Sequence, residues 1–215
     1  MILPNANDGS ICVCLNKEDK EYCEKIARIR KKRGKWDGVY GGGVLNTPED
    51  PVRAERTGVY AEKAFNLMTG LPVDEEERPN GDPGWDFILP NSTIKVDAKN
   101  SVALYSKFFV HAANESLVVG EPKSDFYVFS YNYFHPDLPE KDADNIWIKI
   151  VGAISKKTLL AKDRIGEPLT KKGYENGKPK WLNYYIEPEE LTDAITFFWK
   201  IRKHIQHEET DLYCL

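Results

Sequence analysis

The chain has 215 residues, the size of one ordinary domain that can bury its own core without disulfides. Hydrophobic residues make up 41% of it and charged residues 30%, which is typical of a globular protein and excludes a disordered or fibrous one. No apolar run reaches the roughly 18 residues of a membrane span, and the first residues lack the pattern of a secretory signal. The net charge of −4 argues against a uniformly basic surface but leaves a local nucleic-acid site open. We expect a cytoplasmic protein without a membrane partner.

A helix rich in basic residues is predicted over residues 17–33, where Gly34 follows as a stop signal. Within residues 25–35, seven of the eleven side chains are Lys or Arg and none is acidic. Such a segment is either the solvated face of a surface helix or a patch that contacts nucleic-acid phosphates. The residues that would make phosphate contacts are Arg28, Arg30, Lys31, Lys32 and Arg33.

A second helix is predicted from Thr47, a good capping residue, to about Met68. Pro48 suits the first turn of this helix. Glu55 and Glu62 are seven residues apart and therefore share one face. That face is either the solvent side of an amphipathic helix or a face that directs Glu62 toward a functional site.

Two strand-like runs follow, at 85–89 and 93–99, and Pro90-Asn91-Ser92 separates them. The spacing predicts a tight hairpin with a two-residue turn at residues 91–92. In that register Asp86 lies directly opposite Asp97. Lys99 follows two residues later and shares their face of the sheet. The opposite face is entirely apolar and should pack on the core; it carries Phe87, Leu89, Ile94, Val96 and Ala98.

The remainder of the chain alternates between strand and helix signals. We predict strands at 125–134 and 146–151, a short helix at 155–162, an edge strand at 183–186 and a last helix from near Pro188. Residues 101–119 fit either a strand or a helix, and residues 166–180 have the composition of a surface loop.

The two opposed carboxylates are the feature that points to chemistry. Like charges across a strand pair repel each other, but Asp86 and Asp97 can lie close together if a divalent cation is between them. Hard oxygen ligands favour Mg²⁺ or Mn²⁺. An acid pair beside Lys99 is suited to metal-assisted hydrolysis of a phosphodiester. Glu62 could support such a site from the preceding helix.

Three short motifs carry a resemblance to a known family: Gly58-Val-Tyr-Ala-Glu62, Gly81-Asp-Pro-Gly-Trp-Asp86 and Val96-Asp97-Ala98-Lys99. They resemble the signature of the PD-(D/E)XK nuclease superfamily, over roughly residues 50–190 in outline. The resemblance implies an α/β protein with a restriction-endonuclease-like core, in which helices flank a central mixed β-sheet. We assign residues 47–215 to this core and residues 1–46 to an N-terminal extension that carries the basic helix.

The resemblance also implies roles for individual residues. Asp86 and Asp97 would be the metal-binding acids, and the Ala98 carbonyl would be a further metal contact. Lys99 would be the catalytic lysine, and Glu62 would be the helix acid. The implied function is a Mg²⁺- or Mn²⁺-dependent nuclease that hydrolyses DNA, either from an end or internally.

This sequence departs from the family pattern at one point. The proline near the first acid is Pro83, which follows Asp82 rather than adjoining Asp86, so Asp82 is a rival for the first metal position. Two other functions fit the same residues. One is a catalytically inactive nuclease-fold module that binds DNA or a protein partner, and the other is a nuclease that acts on RNA.

Four cysteines complete the candidate residues: Cys12, Cys14, Cys23 and Cys214. Independent free thiols are the simpler interpretation. The alternative is a shared zinc or iron–sulfur site, since some exonucleases of the superfamily hold an iron–sulfur cluster with four cysteines. In those relatives one cysteine precedes the core and three follow it, whereas here three precede it and one follows.

Overall fold

The computed structural model describes residues 1–33, 50, 52–75, 84–102, 107–113, 121–133, 144–162, 164–166, 174–176, 178–179, 182–206 and 212. These residues form a mixed α/β fold in which helices cover a curled mixed sheet. Within these ranges no helix has both the length and the apolar character needed to cross a membrane.

The helices are α1 (Lys17–Arg33), α2 (Arg53–Thr69), α3 (Lys156–Lys162) and α4 (Ala194–Ile205). The strands are, in chain order, β1 (Ile2–Pro4), β2 (Ile11–Leu15), β3 (Phe87–Ile88), β4 (Lys95–Ser101), β5 (Phe108–Ala113), β6 (Phe126–Tyr133), β7 (Ile146–Ser155), β8 (Ile165–Gly166), β9 (Tyr174–Glu175), β10 (Lys178–Pro179), β11 (Leu182–Ile186) and β12 (Thr192–Asp193).

The main sheet has the strand order β1-β2-β7-β6-β4-β3, and β12 pairs with β7 at one end. Strands β4 and β6 run parallel, whereas the other neighbours are antiparallel. A parallel pair needs a crossover connection. The chain makes this crossover through β5, which joins a separate three-stranded sheet of order β5-β11-β8.

Alternate residues of β6 show that two cores cover the two faces of the main sheet. Phe126 and Val128 belong to the main core, which α1, α2 and α4 complete. Tyr127 and Phe129 belong to a second core, formed with β5, β11 and α3. The main core is rich in aromatic contacts, and the Phe65 ring lies 4.5 Å from that of Phe87. Each such aromatic pair stabilises the fold by roughly 0.5–1.5 kcal/mol in addition to the contribution from buried apolar area.

The structure gives the N-terminal residues a larger part in the fold than the predicted extension over 1–46. Strand β2 pairs with β7 in the middle of the main sheet, and Ile11, Val13 and Leu15 are buried in the main core. Helix α1 packs beside α2. Residues 1–33 therefore belong to the same packed unit as the core, because β2 buries one face in the period-two pattern of a strand.

The predicted element bounds have mixed outcomes. Helix α1 and the strand at 126–133 are confirmed, but α2 begins at Arg53, so Asp50 lies before it. The prediction of an edge strand at 183–186 is wrong, since β11 lies between β5 and β8. The last helix begins at Ala194 instead of near Pro188, because Asp193 caps it by accepting the Thr196 N–H at 2.8 Å.

Candidate active site

The hairpin that carries the candidate acids has the predicted register but a different turn. Phe87 pairs with Val96, as the sequence predicts. The tight turn is centred one residue earlier than expected, because the Ser92 N–H donates to the Leu89 carbonyl at 3.3 Å. Asn91 has a φ of 56°, which asparagine tolerates, and the preceding proline fixes the position before it.

The predicted apolar face of the hairpin is confirmed, and Asp97 and Lys99 lie on the opposite face as predicted. The five apolar residues all lie in the main core: Phe87, Leu89, Ile94, Val96 and Ala98. Because successive residues of a strand project to opposite faces, Asp97 and Lys99 project to the side of the second core. Their partners on β6 are Tyr127 and Phe129, which belong to that core.

Asp97 and Lys99 form an ion pair on this face, with Lys99 Nζ 2.7 Å from Asp97 Oδ2. The Asp97 side chain is only 9% exposed, whereas that of Lys99 is 45% exposed. The carboxylate is therefore largely shielded from water while the ammonium group is accessible to a ligand. The Lys99 ammonium group therefore lies between the largely buried Asp97 carboxylate and the solvent.

Asp86 immediately precedes β3, and its carboxylate extends the hydrogen bonding between β3 and β4 by one bond. Asp86 Oδ2 accepts the Ala98 N–H at 2.7 Å. Burial raises the pKa of the Asp86 carboxyl well above its usual range, and the charges of Glu62 and Asp97 raise the pKa further. Lys99 and the Ala98 N–H act in the opposite direction. The structure thus brings the four predicted side chains into one electrostatic cluster.

Glu62, on α2, has a partner that the sequence did not suggest. Arg30 of α1 donates to both of its carboxylate oxygens, at 2.5 and 2.7 Å. The Glu62 residue is only 3% exposed, and Arg30 also donates to the Asp74 carbonyl at 3.1 Å. Such a bidentate pair is among the stronger hydrogen-bonded ion pairs. The charge of Glu62 is therefore balanced by Arg30, and its carboxylate is held in place near Asp86.

This pair changes the interpretation of the basic helix. Arg30 points inward to Glu62 rather than outward as a phosphate contact would. Arg28 is 64% exposed and lies 2.7 Å from Glu24, one turn earlier on the same helix. Lys31, Lys32 and Arg33 end α1, and their side chains lie outside the described part.

The cysteines do not converge among the described residues. Cys12 and Cys14 alternate with the core residues of β2, so they lie on the opposite face of the sheet from the main core, which contains Cys23. Burial raises the pKa of the Cys23 thiol to about 12. Cys214 and the rival acid Asp82 lie outside the described residues. The sheet therefore separates Cys12 and Cys14 from Cys23, so these three predicted ligands do not come together at one shared cluster.

The donor set around Asp86 is suited to a hard cation. In the described part of the chain, no three Asp, Glu, His or Cys side chains are grouped so that they could hold one metal ion. The hairpin offers two carboxylates, Asp86 and Asp97, with the backbone of Ala98 between them. Mg²⁺ usually takes one or two carboxylates and completes its shell with water and substrate phosphate. The residues present fit that pattern.

A polar network that the sequence analysis missed connects the site to its neighbours. Ser130 Oγ donates to the Lys99 carbonyl at 3.1 Å, and Asn100 Nδ2 donates to the Thr57 carbonyl at 3.1 Å. Asn100 also donates to Asn132 Oδ1 at 2.8 Å. The network joins β4 to α2 and β6. Its directly hydrogen-bonded partners are up to 43 residues apart in sequence, so no local pattern could have revealed it.

The raised pKa of Asp86 predicts a pH-dependent effect of Asp86→Asn on stability. The unfolded chain releases this proton near the ordinary value of 3.8, whereas the folded protein holds it to higher pH. Stability contributed by the neutral carboxyl is therefore complete below 3.8 and is lost as the pH rises through the raised pKa. In metal-free buffer, urea unfolding should show Asp86→Asn gaining stability over the native protein across this window. A difference that does not vary with pH would contradict the prediction.

Comparisons with known proteins give no match to any family model, to any curated protein or to any solved structure.

Proposed function

We propose that the protein is a divalent-metal-dependent nuclease that hydrolyses phosphodiester bonds of DNA at Asp86, Asp97 and Lys99. The observation that supports this most strongly is the hairpin register. It puts one carboxylate on the Ala98 N–H and the other within 2.7 Å of the Lys99 ammonium group, in one cluster of interacting charges. This is the combination of hard oxygen ligands and a cation that phosphodiester hydrolysis needs.

The metal would be held by the Asp86 and Asp97 carboxylates together with the Ala98 carbonyl. The Ala98 N–H faces the side chain of Asp86, the residue immediately before β3. A strand residue directs its N–H and its C=O toward the same neighbour, so the Ala98 carbonyl is on this side too. When bound, Mg²⁺ or Mn²⁺ would polarise the phosphate and lower the pKa of a bound water.

Lys99 supplies the solvent-exposed positive charge of the site. Its ammonium group is accessible to a ligand, while its carbonyl is fixed by Ser130. The side chain can orient the attacking water and stabilise the negative charge that develops on the phosphate oxygens. Its pairing with Asp97 keeps it within reach of the position that the phosphate would occupy.

The charge balance of the cluster favours a divalent cation. Glu62, Asp86 and Asp97 provide three carboxylates, and Arg30 and Lys99 provide two cations, so the formal charge is −1 when all are ionised. A bound divalent ion changes this charge to +1. The loaded site would then attract a phosphodiester more strongly than the metal-free cluster does.

A cleavage assay tests the proposed function. The purified protein is incubated with single-stranded, duplex and branched DNA in Mg²⁺ or Mn²⁺, with EDTA as the control and unlabelled RNA as a competitor. We expect cleavage that requires the metal. Cleavage that persists in EDTA would contradict the proposal, and DNA binding without any cleavage would indicate the inactive module instead.

A further inference from the structure

The sheet face that carries Asp97 and Lys99 continues along β6 beyond the second core. Because Asp97 pairs with Tyr127 and side chains alternate along a strand, Tyr131 and Tyr133 project to the same face as Asp97. Their rings are 6.1 Å apart in an edge-on arrangement. Tyr131 pairs with Lys149 on β7, so an aromatic and cationic row adjoins the candidate active site.

This row ends at a cavity of about 280 Å³ beside the β1–β2 connection. Its lining includes Tyr133 and Lys149 from the sheet, and Asn5 and Asn7 from the connection. The volume is slightly below the range of about 300–1,000 Å³ for ligand pockets, so the cavity has room for no more than one small ring system. Tyrosine rings provide stacking surfaces for bases, and asparagine side chains hydrogen-bond to base edges.

The charges of the cavity favour a neutral ligand over a phosphate. Lys149 Nζ lies 2.7 Å from Asp8 Oδ2, so its charge already has a counter-ion. The same ammonium group lies 5.4 Å from the centre of the Tyr133 ring. A planar, uncharged ring can stack on the tyrosine without having to displace the carboxylate.

We propose that this cavity binds one unpaired base of the strand that is cut, so that the substrate is single-stranded DNA or a single-stranded end. This inference rests on the proposed function of Asp86, Asp97 and Lys99. A base in a duplex is stacked and paired and would have to be flipped out at a cost in free energy, whereas a base of a single strand can enter a pocket without that cost.

The sheet geometry fixes the spacing between the two sites. Lys99 on β4 pairs with Phe129 on β6, and Lys149 on β7 pairs with Tyr131, two residues further along β6. Two strand spacings and two residues along a strand separate Lys99 from Lys149 by roughly 12 Å. Stacked nucleotides advance about 3.4 Å each along one strand, so on a straight path the bound base is about four nucleotides from the scissile phosphate.

Length-dependent binding and cleavage test this inference. Single-stranded oligodeoxynucleotides of two to ten nucleotides are titrated into the full chain by fluorescence anisotropy in EDTA, and their cleavage is measured in Mg²⁺. We expect affinity and kcat/KM to rise until the strand reaches the cavity and then to level off. Tyr133→Ala should lower the affinity and kcat/KM of the longer strands roughly ten- to hundredfold, which removes this gain. The affinity and kcat/KM of the shortest substrate should not change.

Two further variants keep the test independent of folding. Tyr133→Phe retains the stacking ring and should retain the gain. Asn7→Trp, at an exposed position, should fill the cavity and abolish the gain without a change in the sheet. Trp199→Ala is the control, because this exposed aromatic residue lies on α4.

The outcomes separate this inference from the proposed function. A length gain that survives both Tyr133→Ala and Asn7→Trp, or duplex DNA that is cut as fast as single strands, would overturn the inference while the metal site stands. Absence of cleavage would overturn the proposed function, and the anisotropy titration in EDTA would still decide whether the cavity binds a base.

Discussion

Asp97→Asn is expected to lower the rate of metal-dependent DNA cleavage at least about a hundredfold while leaving the fold intact. Asparagine keeps the shape of the side chain but carries no charge. Its neutral carbonyl oxygen binds a divalent cation much more weakly than a carboxylate does, and it cannot form the ion pair that joins Asp97 to Lys99 at 2.7 Å. Metal stabilisation of the transition state amounts to several kcal/mol, and each 1.36 kcal/mol corresponds to about a tenfold change in rate.

Initial rates at saturating Mg²⁺ measure this effect, with thermal unfolding as a check of the fold. Asp144→Asn is the matched control, since Asp144 is an exposed aspartate outside the cluster. Lys99→Ala should cause a loss of similar order, and Lys157→Ala, on the exposed face of α3, should cause none. If Asp97→Asn and Lys99→Ala both cleave DNA at the native rate, the catalytic assignment is wrong.

Arg30→Ala is expected to lower the free energy of unfolding by about 3 kcal/mol. The replacement leaves Glu62, which is 3% exposed, without the two hydrogen bonds that now compensate its charge. Removing one partner of a buried ion pair is strongly destabilising, because the other charge stays in a poorly solvated position. The uncompensated charge would also raise the pKa of the nearby Asp86 carboxyl further.

Urea unfolding of matched variants isolates this contribution. Arg28→Ala is the control on the same helix, since its exposed pair with Glu24 should contribute at most about 0.5 kcal/mol. The double variant Arg30→Leu/Glu62→Leu removes both charges and should recover much of the loss. Equal effects of Arg30→Ala and Arg28→Ala would show that the Glu62 pair does not stabilise the fold.

The hairpin could be predicted from the sequence because its information is local. Alternation of apolar and polar residues specifies which face is buried, and a shift of one residue would bury Asp97 in the main core. The pairing of Phe87 with Val96 could therefore be predicted correctly, even though the turn is centred on Pro90 and Asn91 and not on the predicted residues 91–92. Helix α1 was equally readable, because its composition and the following Gly34 mark both ends.

The partners that complete the cluster could not be predicted from local patterns. Arg30 and Glu62 are 32 residues apart and meet only because α1 packs beside α2. The composition of the basic helix predicted outward-facing charges, but its contact with α2 directs Arg30 inward. Strand β2 was missed for a related reason. Its five residues are too few to show a clear alternation in the sequence, and they become recognisable as a strand only through their pairing with β7.

Metal titration by calorimetry tests the central claim most directly. Mg²⁺ or Mn²⁺ is titrated at neutral pH into the native protein, Asp86→Asn and Asp97→Asn. The native protein should give a binding isotherm that both substitutions abolish or weaken severely. Heats that are the same in all three proteins would contradict the claim that these two carboxylates share a divalent cation.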